Sequence, residues 1–214
     1  MTVLVPGETE IASETDVRAG FIGIGGVNDA FDLYLVLLSN GNYKLIVFMK
    51  VQFFFQDGNG GKWTNSEKTT FVNKWESAIK QKWGGRVLKQ LKSNKNVSIE
   101  FRFKTQIGGW MLDHWEINVE KVNKFAVSSV NPIIGNVTLD SLDLKLTRKK
   151  GGGFQRAVVH EFGHMIGLDD EYLKNSPFQK DYKSVMNGGE SVLTRHDAPH
   201  MKWLNERLKE KGIQ

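Results

Sequence analysis

The 214-residue chain contains no cysteine. That excludes disulfides, thiolate metal sites and a cysteine nucleophile, and it leaves the redox compartment open. Long apolar runs are missing as well. The longest apolar stretches lie in "YKLIVFMKVQFFFQ" and are interrupted by Lys50 and Gln52, so no segment reads as a membrane span. The opening "MTVLVPGETEIASETDVRAG" lacks the basic start and apolar run of a signal peptide. The expectation is a soluble protein, cytoplasmic until any export, which would then use a signal-peptide-independent route. A strong charge imbalance is also absent: the net charge is +5, spread along the chain. The densest basic patch, "VLKQLKSNKN" (87 to 96), has no interleaved aromatics and reads as solvated surface. Neither nucleic acid nor a membrane is expected as a partner.

With 40% hydrophobic and 25% charged residues, the composition is that of an ordinary globular domain, long enough to bury a core. Residues 1–20 are polar, acidic and aperiodic and read as a loose arm. "GFIGIGG" lacks the glycine spacing of a dinucleotide cradle. Residues 43 to 56, rich in β-branched and aromatic types, predict one long strand or two. A helix follows, with Thr64 and Glu67 as a capping box and Phe71, Val72, Trp75, Ile79 and Trp83 on one face; Gly84 and Gly85 end it. "VSIEFRFK", "HWEINVEKV" and "NVTLDSLDLKL" alternate as strands do. A last amphipathic helix covers about 198 to 211, with Asp197 as its cap and Pro199 in its first turn. The order predicts an α+β fold with a single domain over 21–214.

The chemistry concentrates in "AVVHEFGHMIGLDDEY" (157 to 172). His160 and His164 are i and i+4 on one helix face, so both imidazoles can reach one ion. Glu161 beside them can take a proton from an activated water. The His-Glu-x-x-His spacing arises by chance roughly once in 140 such chains, so a third ligand matters more. In a continued helix, residue 170 would lie on another face, about 15 Å along the axis from His160. Gly167 can adopt the left-handed conformation, stop the helix and carry Asp170 back toward the metal. Glu171 and Glu190 are the competing third ligands. Arg195 or His196 could reach the cleft to stabilise an oxyanion; the simpler alternative for "TRHDAPHMKWL" is surface or capping residues. His114, alone in an alternating strand, reads as structural.

"HEFGHMIGLDD" resembles the metzincin zinc-peptidase signature, with Asp170 where a third His is commoner, and "YKSVMNGG" resembles the family's Met-turn. Together with "DDEY", these segments are similar to small bacterial secreted metzincins and to metallopeptidase cargos of toxin and injection systems. The resemblance implies a twisted mixed sheet packed against an active-site helix. It also implies an N-terminal lobe to about 168 and a small C-terminal lobe from about 169 ending in a helix. It implies Zn²⁺ held by His160, His164 and Asp170, Glu161 as general base, Met186 as the floor beneath the metal, and a protein or peptide substrate, with delivery through a secretion or injection apparatus. Where several members carry a Tyr two residues after the Met, this chain has Gly188, so Tyr172 or Tyr182 is the candidate for that role. A zinc amidohydrolase acting on cell-wall peptide and a non-catalytic zinc-stabilised domain are the rival readings. The strand "NVTLDSLDLKL" is expected to receive an extended substrate by β-addition. Glu8, Glu10, Glu14 and Asp16 of the arm either cap the metal or belong to a tail or export tag.

Overall fold

The computed structural model describes residues 3–19, 27–149 and 151–213. "GFIGIGG" falls outside them. The fold is α+β, built around β3 (Tyr43–Gln56), a single strand that serves two successive neighbours. On one edge it pairs in parallel with β5 (Asn96–Ile107), from Tyr43 to Phe53. On the other, β2 (Val27–Leu38) runs antiparallel to Tyr43–Phe48, and β6 (Trp115–Glu120) then runs parallel to Val51–Gln56. Burial on both faces explains why its sequence is a near-continuous apolar run. Leu45, Val47, Met49, Val51 and Phe53 face the main core, while Ile46 and Phe48 join Val36 in a second cluster.

The sheet continues from β6 to β8 (Asn136–Asp140) and β7 (Ser129–Asn131) on one side; β4 (Val87–Gln90) borders β5, and β1 (Glu8–Ala19) borders β2. The helix α1 (Asn65–Trp83) starts at Thr64 with the expected capping box and buries Phe71, Val72, Trp75, Ile79 and Trp83. Its aromatic face receives α2 (Ala157–Met165). The Phe162 ring sits 5.2–6.2 Å from the rings of Trp75, Trp83, Phe101 and Phe103, and Trp83 Nε1 donates to the Val159 carbonyl over 3.0 Å. This aromatic socket fixes the helix that carries both histidines. No helix among the described residues is long and apolar enough to cross a membrane.

Several expectations need correction. The acidic arm is the edge strand β1, paired antiparallel with β2 along its length. Register shifts between Glu10 and Ala12 and between Glu14 and Val17 erase its alternation, and acids on an exposed edge also discourage pairing with other chains. Glu8 binds Lys44 and Arg102, Glu14 accepts from Trp203 Nε1 and Asp16 donates its N–H to Asp32, so these acids are held on the sheet. The strand "NVTLDSLDLKL" ends at Asp140: Asp143 Oδ2 accepts the Asp140 N–H and Asp140 Oδ1 accepts the Leu142 N–H, folding the rest into turns. Asp197 does not cap α3 (Ala198–Glu210) through its side chain but forms a two-pronged ion pair with Arg86.

His196 and His200 are buried rather than surface residues. His200 lies edge-on to Phe31 and Phe101 with neither ring nitrogen hydrogen-bonded. Burial, aided by the charge of Arg86, pulls its pKa from 6.5 down to about 3. The folded protein therefore keeps His200 neutral where the unfolded chain would protonate it. Its contribution is complete above pH 6.5 and is lost as the pH falls toward 3. His200→Leu, which also removes two unsatisfied polar atoms, should raise stability by on the order of 1 kcal/mol at neutral pH. The gain should widen as the pH falls below 6.5. Urea unfolding of both proteins across that range checks this; parallel pH profiles would contradict it.

Candidate metal centre

The N-terminus of α2 is delivered by a short hairpin, β9 (Thr147–Arg148) and β10 (Phe154–Gln155). Val158, Val159, Phe162, Met165 and Ile166 bury its apolar side, which leaves His160 and Glu161 lining a cleft, with His164 one turn further along the helix. The two imidazoles stand nearly perpendicular, with their Nε2 atoms 3.3 Å apart. His160 Nδ1 meets the Val185 carbonyl at 2.8 Å and His164 Nδ1 meets the Leu168 carbonyl at 2.7 Å. A carbonyl only accepts, so each Nδ1 carries a proton, and in the neutral imidazole each Nε2 presents a lone pair.

Gly167 ends the helix in the left-handed conformation, φ 95°. Gly167 N–H donates to the His164 carbonyl and Leu168 N–H to the Gly163 carbonyl, the paired bonds of a Schellman stop. The chain turns, and Asp170 Oδ1 arrives 3.1 Å from His160 Nε2 and 3.3 Å from His164 Nε2. That oxygen is buried and has no hydrogen-bond donor, while Oδ2 accepts the Tyr172 hydroxyl over 2.7 Å. With neutral imidazoles three lone pairs face one point, an arrangement that repels itself unless a proton or a metal ion sits there. Donors about 2.0–2.2 Å from a tetrahedral zinc lie about 3.3–3.5 Å apart, so the group fits such an ion. Burial opposes the charge on Asp170, but the histidines and Tyr172 hold its pKa below the ordinary carboxylate range. His164 is pushed the other way: burial lowers its pKa, and Asp170 more than compensates.

The competing ligands lie elsewhere. Glu171 binds Arg195 at 2.6 and 2.8 Å and His196 at 3.0 Å, and Glu190 binds Arg156 and Lys82. Arg195 also meets Asp181 and covers the Phe178 ring, so neither it nor His196 lines the cleft. They brace the loop behind Asp170 instead. Met186 is buried against Gly163 of α2, and its carbonyl accepts the Glu171 N–H. Gln155, which the sequence reading did not single out, donates to the carbonyls of Val185, Asn187 and Gly189 and so gathers this turn under His160. An isolated Gln before a helix carries no spacing signal that would reveal it.

An open cleft of about 890 Å³ fronts the centre. His160, Glu161, Tyr172, Tyr182, Gly188 and the segment Phe125–Ser128 all line it. Glu161 is buried enough for its pKa to rise, although His160 and His164 pull it back. Its carboxylate makes no hydrogen bond or ion pair with any described residue. Tyr172 stacks 6.4 Å from His160, whereas the Tyr182 ring packs on Gly151. The strand β8 lies between β6 and β7 and offers no free edge; the free edge belongs to β7. A second cluster, Asp16, Asp32 and His114, is of a different kind. His114 Nδ1 accepts the Lys50 N–H, so Nε2 carries the proton and faces Asp32 Oδ1 at 3.3 Å, clasping β2 to β6.

Compared with known proteins, the chain matches no family model and no curated sequence.

A Cβ at Gly163 would stand 2.9 Å from the Met186 methyl and closer still to its sulfur. Gly163→Ala should therefore cost about 1–3 kcal/mol of stability in urea unfolding. A variant as stable as the parent would mean that the Met186 side chain swings clear of the helix and that the gain in helix propensity offsets the clash.

Proposed function

We propose that the protein is a zinc-dependent endopeptidase whose metal is held by His160, His164 and Asp170 and whose general base is Glu161. The observation that carries the reading is the convergence of His160 Nε2, His164 Nε2 and Asp170 Oδ1, 3.1–3.3 Å apart, beside an unpaired carboxylate in an open cleft. A zinc ion there supplies Lewis acidity, which polarises a carbonyl and acidifies water. Glu161 accepts the proton of the attacking water on its carboxylate and passes it to the leaving amine nitrogen. Its raised pKa suits a base that must release the proton again. Tyr172 holds Asp170 through Oδ2 and stands beside His160, which favours it over Tyr182 for the role open at Gly188. Phe125–Ser128, leading into the free edge of β7, receives the extended chain. A purely structural metal site has no use for an unpaired carboxylate at its side, which favours an enzyme over a binding domain.

Elemental analysis should find about one zinc per chain, lost in His160→Ala, His164→Ala and Asp170→Ala and kept in Glu171→Gln. Equal zinc in all of these would dismiss the ligand set. Glu161→Gln should keep its zinc and lose ~10²–10⁴-fold in hydrolysis of an unfolded protein. Cleavage of peptidoglycan but not of protein would replace the endopeptidase with the amidohydrolase.

A further inference from the structure

We propose that the cleft selects peptides bearing acidic side chains, through Arg148, Lys149 and Lys180. The proposal takes its setting from the hydrolase reading, but it rests on the charges that line the cleft. All three cations line it, and none has a side-chain hydrogen bond or ion pair among the described residues. Elsewhere Lys44, Arg86, Arg102, Arg156 and Arg195 each meet a carboxylate; what distinguishes Arg148, Lys149 and Lys180 is that all three line one cleft. The acids of the cleft neutralise the trio only in part: the charge of Glu161 reaches Lys149, but the two form no ion pair. Asp143 is turned inward, accepting from the Ser128 hydroxyl and the Asp140 N–H, and Glu161 stands beside the metal donors.

The cations are mounted on a supported wall. Arg148 and Lys149 belong to the β9–β10 hairpin, whose turn is closed by the Lys149 N–H on the Gly153 carbonyl over 2.8 Å. Gly151 at its tip lies against the Tyr182 ring, and Gly153 lies against the backbone of Tyr182 and Gly188. Only glycine allows such close approach, and both the hairpin and the segment from Lys180 to Tyr182 are held by it. The Phe125–Ser128 segment supplies a contrasting surface, with Phe125 and Val127 exposed and apolar. A substrate that fits both carries an apolar side chain and, nearby, a carboxylate. One exposed ion pair contributes little, but three like charges lining one cleft raise the local concentration of an anionic ligand.

The test uses fluorogenic peptides identical except for Glu, Gln or Lys, scanned one position at a time on both sides of the scissile bond. In at least one position Glu should exceed Gln by about tenfold in kcat/KM, and the ratio should shrink at high salt. It should approach parity in the combined Arg148→Gln, Lys149→Gln, Lys180→Gln variant. In Lys149→Glu the preference should move toward Lys, which a merely misfolded variant would not do. Fluorescence anisotropy of the same labelled peptides on the Glu161→Gln protein reads affinity whether or not peptides are cleaved. Tighter binding of Glu peptides without cleavage by the parent would sustain the cationic wall and remove the hydrolase. Cleavage with Glu and Gln at parity in every position, or a Glu preference that survives in the combined variant, would overturn the wall and leave the hydrolase standing.

Discussion

The Val185 carbonyl oxygen, 2.8 Å from His160 Nδ1, is the contact on which the site depends. It fixes the proton on one nitrogen and thereby turns the other into a donor for a cation. It also joins two segments that are remote in sequence, the helix and the turn around Met186. Gln155 holds that carbonyl from one side, and the turn is held from the other by the Glu171 N–H on Met186. Glu171 is in turn gripped by Arg195 and His196, and this keeps its pKa near 2 against the effect of burial. The residue next to the third donor therefore acts as a latch, and the donor itself is left free of protein hydrogen-bond donors on the oxygen that faces the histidines.

Elements whose local preferences agreed with their environment were legible in the sequence. The capping box at Thr64 is local hydrogen bonding, and the aromatic face of α1 and the strict alternation of β5 reflect one-sided burial, which periodicity records directly. The pair His160 and His164 was readable for the same reason, since helical spacing alone puts them together. Asp170 was readable because Gly167 marks a turn whose geometry is local.

What the sequence concealed depends on partners distant along the chain. The strand β1 looks like a polar arm because its acids are satisfied by Lys44, Arg102 and Trp203, which lie far away in sequence. The strand β2, with no turn signal in its interior and little alternation, was not anticipated at all. "TRHDAPHMKWL" looks like a surface segment, yet its two histidines and its aspartate are buried against Ser184, Glu171, Arg86 and aromatic rings. Gln155 and Glu190 organise the site through backbone groups, and such bonds leave no residue pattern to read.

The division of β3 between two neighbours bears on how the chain folds. β1, β2 and β3 follow one another as an antiparallel meander, so their pairings close short loops and can form early. The parallel pairings of β3 with β5 and β6 must wait for the crossover through α1 and for the long return to Trp115. The seam where β3 changes partners, near Lys50, is then closed by side chains, with Trp115 Nε1 on the Ala30 carbonyl and His114 against Asp32. The helix with the histidines docks on a face that α1 and β5 complete only at this later stage. Folding thus has a built-in order in which the meander precedes the site, and a chain arrested halfway would have a formed hairpin sheet but no assembled set of donors.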